Sequence, residues 1–428
     1  MKKDKVKDII SDWVLRKPKA TIAREIELPT NINKVVSIIG PRRCGKTYML
    51  FDLVNKLSET HPRENLIYIN FEDDRLFPFS EESLDNFLTA YYELYPDKKN
   101  ETVYFFFDEI QDVPNWEKFV RRVYDTEDCR IYITGSSSKL LSKEIATSLR
   151  GRTLPFEAFP LSFSEFLGFK NIQASTTGTK QKALVKNALA EYIEKGSYPE
   201  TVDLDKYTAN RVLNEYIDLV IYRDLADRYS IKNTKLLKYL IKHLFVNMSN
   251  PLSINKLFND LKSQGYSIGK NTLYDFMGYL EDAFIFFNVQ KHSKSEREKA
   301  VNPNKVYGID TGMRQAFVFA PDYGRMYENT VYLHLRRQTE DLHYYLGKQE
   351  VDFYLEGEQK LINVCYDLDE FSARQRELKG LNEAMKYYGI KESLLITNND
   401  EEDVKTDNGW VRIVPMYKWL LKKDHTQQ

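Results

Sequence analysis

The chain has almost no charge of one sign to spare. Its 62 Lys and Arg stand against 63 Asp and Glu, a formal net charge of −1. The whole-chain field therefore draws in no polyanion, and a nucleic-acid partner would need a local basic patch. No apolar stretch approaches the length of a membrane-spanning helix, so no membrane partner is expected. Cysteine is scarce. Cys44, Cys129 and Cys365 lie far apart and are odd in number, which fits a reducing compartment, hence the cytoplasm, and no zinc site. The first residues, Met1-Lys2-Lys3-Asp4-Lys5, lead into an amphipathic segment with Asp8 and Asp12, so no secretory leader is expected. Apolar residues make up 42%, with 24 Phe and 29 Tyr, which is ample for packed cores and wrong for disorder. The 428 residues suggest roughly two to four domains.

Gly40-Pro41-Arg42-Arg43-Cys44-Gly45-Lys46-Thr47 fits G-x-x-x-x-G-K-[ST], a phosphate-binding loop. Val35 to Ile39 reads as a buried strand before it and Tyr48 to Leu57 as a helix after it, the order this chemistry requires. Gly40 and Gly45 let the backbone bend so that its N–H groups surround a polyphosphate, and the helix N-terminus adds partial positive charge. Lys46 reaches toward the β- and γ-phosphates and the Thr47 hydroxyl ligates Mg²⁺, so ATP and Mg²⁺ are the expected cofactors. The expected nucleotide-binding set is Gly40, Pro41, Arg42, Arg43, Cys44, Gly45, Lys46, Thr47 and Tyr48.

Val103 to Phe107 is a second buried strand, and it ends in Asp108-Glu109. A carboxylate at the C-terminal edge of a central strand sits where Mg²⁺ must be held, and the adjacent Glu109 can polarise the attacking water as general base. Another strand candidate, Leu66 to Phe71, falls between the loop and this pair. Such an inserted strand resembles the AAA+ and related ATPases rather than P-loop kinases or GTPases. That resemblance implies more. Ser136, after the strand Arg130 to Thr134, matches the first sensor, with Thr134 and Ser137 as neighbours. Arg150 and Arg152, at the end of the next helix, match the arginine finger that enters a neighbouring subunit's site, where planar guanidinium suits the γ-phosphoryl transition state. A solvated basic helix end is the plain alternative. A homo-oligomeric ring, a hexamer first, is implied.

Four regions are expected: an ATPase core over 1–168, a linker and helical lid over 169–232, a winged helix over 233–312 and a nuclease-like domain over 313–428. In the lid, Arg211 and Arg223 could be second sensors but read better as surface residues. In the third region, Leu236 to Met248, Ser253 to Leu261 and Lys270 to Phe284 read as three helices, followed by a hairpin around a charged tip. Leu273, Phe276, Met277 and Leu280 would face the core, and Lys270, Asn271 and Tyr274 would face out toward DNA. The tip, Lys291 to Lys305, offers Lys291, Lys294, Arg297, Lys299 and Lys305 to phosphates. Winged helices also serve protein contacts, and charged tips are often only solvated.

In the fourth region the order of helix, strand hairpin, strand, helix and strand resembles the restriction-endonuclease-like fold. Asp352 matches that family's second-strand Asp and Glu328 its helix carboxylate. The third strand departs: Asn363 stands in the place of Glu and Cys365 in the place of Lys. The loss weakens divalent-metal binding and removes an ammonium, so the expected site is a degenerate, inactive one. A plain packing domain is the alternative. The whole order, with Pro160-Leu161-Ser162-Phe163-Ser164-Glu165-Phe166 and Glu350-Val351-Asp352-Phe353, resembles a large prokaryotic group of AAA+ ATPases that carry a C-terminal domain of unknown function. The expected fold class is α/β: a P-loop AAA+ parallel-sheet core, helical lid, winged helix and a C-terminal restriction-endonuclease-like domain. The expected function is an ATP-driven motor or switch on DNA, branched or recombining duplex first. A nucleotide-gated signalling or scaffold protein resembling STAND-type ATPases, with a protein partner, is the second reading.

Overall fold

The computed structural model describes residues 2–79, 83–135, 149, 151–318 and 320–422. The chain forms two compact units, Met1–Phe159 and Pro160–Gln428.

The first unit is built on five strands: β1 (Val35–Ile39), β2 (Leu66–Asn70), β3 (Val103–Asp108), β4 (Cys129–Gly135) and β5 (Thr153–Glu157). All pair in parallel, in the spatial order β2-β3-β4-β1-β5. β1 and β3 are buried along their full length, as continuous apolar runs in a parallel sheet require. β2 follows β1 in sequence, but β4 lies between β1 and β3 in space. The register pairs Ile38 with Thr134 and Phe107 with Ile133. The C-terminal ends of β1, β4 and β3 thus share one edge, where open parallel sheets bind ligands. The helix Lys3–Leu15 buries Val6, Ile9, Ile10 and Trp13, and the Trp13 indole N–H donates to the Leu66 carbonyl at 2.6 Å.

The second unit carries nine strands: β6 (Pro251–Leu252), β7 (Phe286–Lys291), β8 (Asn304–Gly308), β9 (His343–Leu346), β10 (Glu350–Leu355), β11 (Lys360–Val364), β12 (Glu392–Thr397), β13 (Glu402–Lys405) and β14 (Trp410–Pro415). They form one sheet, ordered β13-β14-β12-β11-β10-β9-β7-β8-β6. Its helices include Thr179–Lys195, Lys206–Leu219, Thr234–Val246, Ile254–Ser263, Lys270–Asp282, Tyr323–Arg336 and Phe371–Tyr388. Ser253 caps its helix by accepting from the Lys256 N–H at 3.3 Å. Leu273, Phe276, Met277 and Leu280 are buried, while Lys270, Asn271 and Tyr274 are exposed.

β7 also pairs in parallel with β9, Gln290 opposite His343 and Lys291 opposite Tyr344, so one sheet runs on both sides of residue 312. Parallel pairing between distant segments leaves no local sequence mark. The charged tip also holds a short helix, Glu296–Val301, whose Ser295 cap accepts from the Glu298 N–H. Lys305 is not at the tip. It is fully buried on β8.

No helix among the described residues is long and apolar enough to cross a membrane.

Candidate active site

The loop after β1 turns through two glycine conformations. Gly40 has φ of 149°, and a Cβ there would lie 2.0 Å from the Ala158 carbonyl oxygen. Gly45 has φ of 104° and directly precedes the helix Lys46–Leu57. No side chain fits the first position, and few L-residues adopt the second backbone. The next residue, Lys46, is buried, and its ammonium donates to the carbonyls of Gly40 and Pro41 at 3.0 Å each. Two of its three donors thus span the loop that would wrap a phosphate, and one remains.

Thr47 and Asp108 meet across the sheet edge. The Thr47 hydroxyl donates to Asp108 Oδ2 at 2.8 Å, and the Tyr68 hydroxyl donates to the same oxygen at 2.7 Å. Thr134 donates to the other oxygen, Oδ1, and accepts from the Glu109 N–H at 3.0 Å. Burial, then the neighbouring Glu109, pushes the Asp108 carboxyl above its ordinary range, and the three hydroxyls pull it back. A buried carboxylate held by neutral hydroxyls, with no cation paired to it among the described residues, is a hard-oxygen donor. The donor set, one hydroxyl and one carboxylate beside a glycine loop, fits Mg²⁺ held on a polyphosphate.

Glu109 is in the left-handed region, φ 53°, and the Gln111 amide donates to its carboxylate at 2.6 Å. Cys44 is buried. Its thiol is pushed up by burial, and its carbonyl accepts from the Arg24 guanidinium at 2.9 Å. Arg42 is paired with Glu72 at 3.4 Å, and Tyr48 is exposed. Arg152 is engaged by Asp125 at 3.0 Å. Ser136, Ser137 and Arg150 lie outside the described residues.

The second unit holds a different charged cluster. The structure brings Glu328 and Asp352 together, and it corrects the view that this place lacks an ammonium. Lys305, reaching in from β8, donates to Glu328 at 2.7 Å and to Asp352 at 2.9 Å, and pairs with Glu350 at 2.7 Å. Tyr307 donates to the same Glu328 oxygen at 2.8 Å. Burial opposes the charge on Lys305, but Asp352 and Glu328 outweigh it and hold the ammonium protonated well above its usual range. Burial and the neighbouring Asp352 push the Glu328 carboxyl up, and Lys305 pulls it back. Asn363 lies behind Asp352, accepting from its N–H at 2.8 Å and donating to Glu377. Cys365 is half-buried and its thiol contacts the Asp367 carbonyl. Asn363 and Cys365 therefore take no part in the ion cluster itself.

The comparisons with known proteins match three segments of the chain. Residues 32–167 match a family model described as an AAA domain. Residues 186–322 and 323–419 match two models described as domains of unknown function, DUF8612 and DUF4143. The chain is 41% identical to "Uncharacterized protein MJ1544" of Methanocaldococcus jannaschii over 428 residues, covering 96% of this chain and 94% of that protein. The chain belongs to the family of that archaeal protein. A further family relative, an uncharacterized protein of Haemophilus influenzae, is 28% identical and covers 94% of this chain and all of its own length. Among solved structures, Aeropyrum pernix ORC1 in complex with DNA is similar at 12% identity and a TM-score of 0.32, over 74% of this chain and 90% of that one. Cdc6p of Pyrobaculum aerophilum is similar at 14% identity and a TM-score of 0.26, over 67% and 86%.

Sequence reasoning did not single out Tyr68 as a partner of Asp108, and it treated Thr134 only as an alternative sensor. The register that aligns β2, β3 and β4 is what puts both hydroxyls on one carboxylate. A polar residue near the C-terminal end of each buried strand was the available signal.

Proposed function

We propose that this chain is a P-loop AAA+ ATPase that binds Mg²⁺-ATP at the loop after β1 and couples its hydrolysis to work on DNA, branched or recombining duplex first. The observation that carries the ATPase reading is the convergence of Lys46, Thr47 and Asp108 on one sheet edge, with Thr47 and Asp108 2.8 Å apart. In this reading Gly40 to Tyr48 bind the nucleotide, Lys46 neutralises the β- and γ-phosphates, and Thr47 and Asp108 hold Mg²⁺. Glu109 is the general base, which requires it to turn from Gln111 toward the attacking water. Ser136 is the sensor. Arg150 or Arg152 completes a neighbour's site in a homo-oligomeric ring, and Arg152 must first leave Asp125. Residues 1–168 form the ATPase core, 169–232 the lid, 233–312 a winged helix and 313–428 a nuclease-like domain.

That last domain is read as inactive. A metal-dependent nuclease holds its divalent cation between carboxylates. Here the Lys305 ammonium already bridges Glu328, Glu350 and Asp352. DNA contact is assigned to Lys270, Asn271 and Tyr274 on the exposed helix face, and to Lys291, Lys294, Arg297 and Lys299 of the tip. Lys270, Tyr274 and Lys299 line one concavity of about 660 Å³ with Asn288, Gln290 and Asn304. The second reading is a nucleotide-gated scaffold that binds protein. The pairing of β7 with β9 favours it, because the hairpin is built into a larger sheet rather than standing free.

ATP turnover measured with and without single-stranded, duplex and four-way DNA separates the two. Stimulation by DNA, together with binding that weakens steeply with salt and less steeply after charge reversal at Lys291, Lys294, Arg297 and Lys299, supports the DNA reading. No binding and no stimulation at low salt would favour the scaffold.

A further inference from the structure

A cluster of metal-ligand side chains sits on the strands that also carry the charged cluster, and it uses none of the cysteines. Asp341, His343 and Glu356 present ligand atoms that all lie within 4.8 Å of one another. His292 lies beside this set of three and outside its 4.8 Å limit. His292 Nε2 is 3.6 Å from Glu356 Oε1, and the His292 and His343 rings are 5.5 Å apart. His343 Nε2 is 3.3 Å from Asp341 Oδ1. Metal–donor distances of about 2.0–2.1 Å put neighbouring donors of a tetrahedral site about 3.4 Å apart. Both measured pairs are close to that. Bringing all four onto one ion requires side chains to turn, and Glu356, whose side chain is 58% exposed, has room to do so.

The backbone holds three of these residues before any ion arrives. His292 directly follows β7 and donates its N–H to the Tyr344 carbonyl at 2.8 Å, which ties it to β9. His343 opens β9 and pairs with Tyr354 of β10. Glu356 directly follows β10. Asp341 is fixed at its other oxygen, because the Gly357 N–H donates to Oδ2 at 2.6 Å and leaves Oδ1 turned to His343. His292 Nδ1 is 2.8 Å from the Tyr388 hydroxyl. When Nδ1 carries the proton and donates to the Tyr388 oxygen, Nε2 is bare for a metal.

We propose that His292, Asp341, His343 and Glu356 bind one divalent transition cation of the Zn²⁺ class. Two imidazoles and two carboxylates suit Zn²⁺ and disfavour Ca²⁺ and Mg²⁺, which take oxygen ligands. Four protein ligands close the coordination sphere, so the ion is structural. It clamps the end of β7 to β9 and β10, the place where the hairpin joins the C-terminal strands.

The test is a Co²⁺ titration of the full chain in excess Mg²⁺, read by visible absorption and followed by Zn²⁺ displacement. The expected result is one equivalent of Co²⁺ with the intense bands of a tetrahedral ion, removed by Zn²⁺. The His292→Ala/His343→Ala variant loses the bands, Glu356→Gln weakens binding at an exposed position that does not threaten folding, and Tyr388→Phe weakens it about tenfold. Zn²⁺ also raises the thermal midpoint of the wild type and not of the double variant. Absence of tetrahedral bands in the wild type overturns the proposal, and so does their persistence in the folded Glu356→Gln and double variants at unchanged affinity. ATP turnover is not part of the readout, so the two assignments fail independently.

Discussion

Lys305 Nζ and Asp352 Oδ1 lie 2.9 Å apart in the interior of the nine-stranded sheet, joining the hairpin strand β8 to the C-terminal strand β10. Glu328 and Glu350 close on the same ammonium. One buried ammonium thus pairs with three carboxyl groups. The arrangement is costly to assemble and more costly to break, because removing one partner leaves uncompensated buried charge.

Lys305→Ala should therefore destabilise the second unit by about 3–5 kcal/mol, the usual cost of breaking a buried ion pair from one side. Urea unfolding followed by tryptophan fluorescence measures it. A loss below about 1 kcal/mol would mean that the cluster is solvated and weakly coupled. The wild type should show no nuclease activity with Mg²⁺ or Mn²⁺. Cleavage that disappears in Asp352→Ala would contradict the view that the ammonium stands in the metal's place.

Asp310 gives a pH signature. It is buried, accepts from the Ser197 N–H at 2.7 Å and from its hydroxyl at 2.8 Å, and caps Met313. Burial raises its carboxyl to about 6, despite these donors. The folded state therefore holds the proton more tightly than the unfolded chain. Its contribution is fully present below the unfolded value of 3.8 and is lost as pH rises through about 6. The stability difference between wild type and Asp310→Asn should fall by about 3 kcal/mol between roughly pH 4 and pH 7. Denaturant melts across that window test it, and a flat or rising difference would contradict it.

Thr134 serves two residues at once, donating to Asp108 and accepting from Glu109. Thr134→Val leaves a buried carboxylate oxygen and an N–H without that partner, at a cost of about 1–3 kcal/mol. If the cost is felt in the transition state, turnover of ATP drops by roughly 10- to 100-fold. Thr134→Ser should restore most of it. Equal kcat in all three proteins would remove Thr134 from the site.

Much of the first unit was legible because its signals are local. Val35 to Ile39 and Val103 to Phe107 are short, mostly apolar runs, Arg130 to Thr134 has an apolar centre, and the glycine loop is a fixed eight-residue pattern. The helix face of Leu273, Phe276, Met277 and Leu280 was legible for the same reason. What could not be read depends on register between distant strands. Tyr68 meets Asp108 only because β2 and β3 align Asn70 with Asp108. Lys305 looked like one more cation in a charged stretch, and only the pairing of β8 with β7 and the position of β10 turn it inward. His292, Asp341, His343 and Glu356 carry no metal-ligand spacing, because β7, β9 and β10 bring them together across the sheet.

The central claim is that Lys46, Thr47, Asp108 and Glu109 form one ATP-hydrolysing site. The most direct measurement is phosphate release from Mg²⁺-ATP by the wild type, Lys46→Ala and Glu109→Gln, with nucleotide binding followed in parallel. The account predicts turnover by the wild type, loss of both binding and turnover in Lys46→Ala, and retained binding without turnover in Glu109→Gln, since Gln keeps the shape but cannot accept a proton. Wild-type turnover in Lys46→Ala or Glu109→Gln, or no nucleotide binding by the wild type, would contradict it.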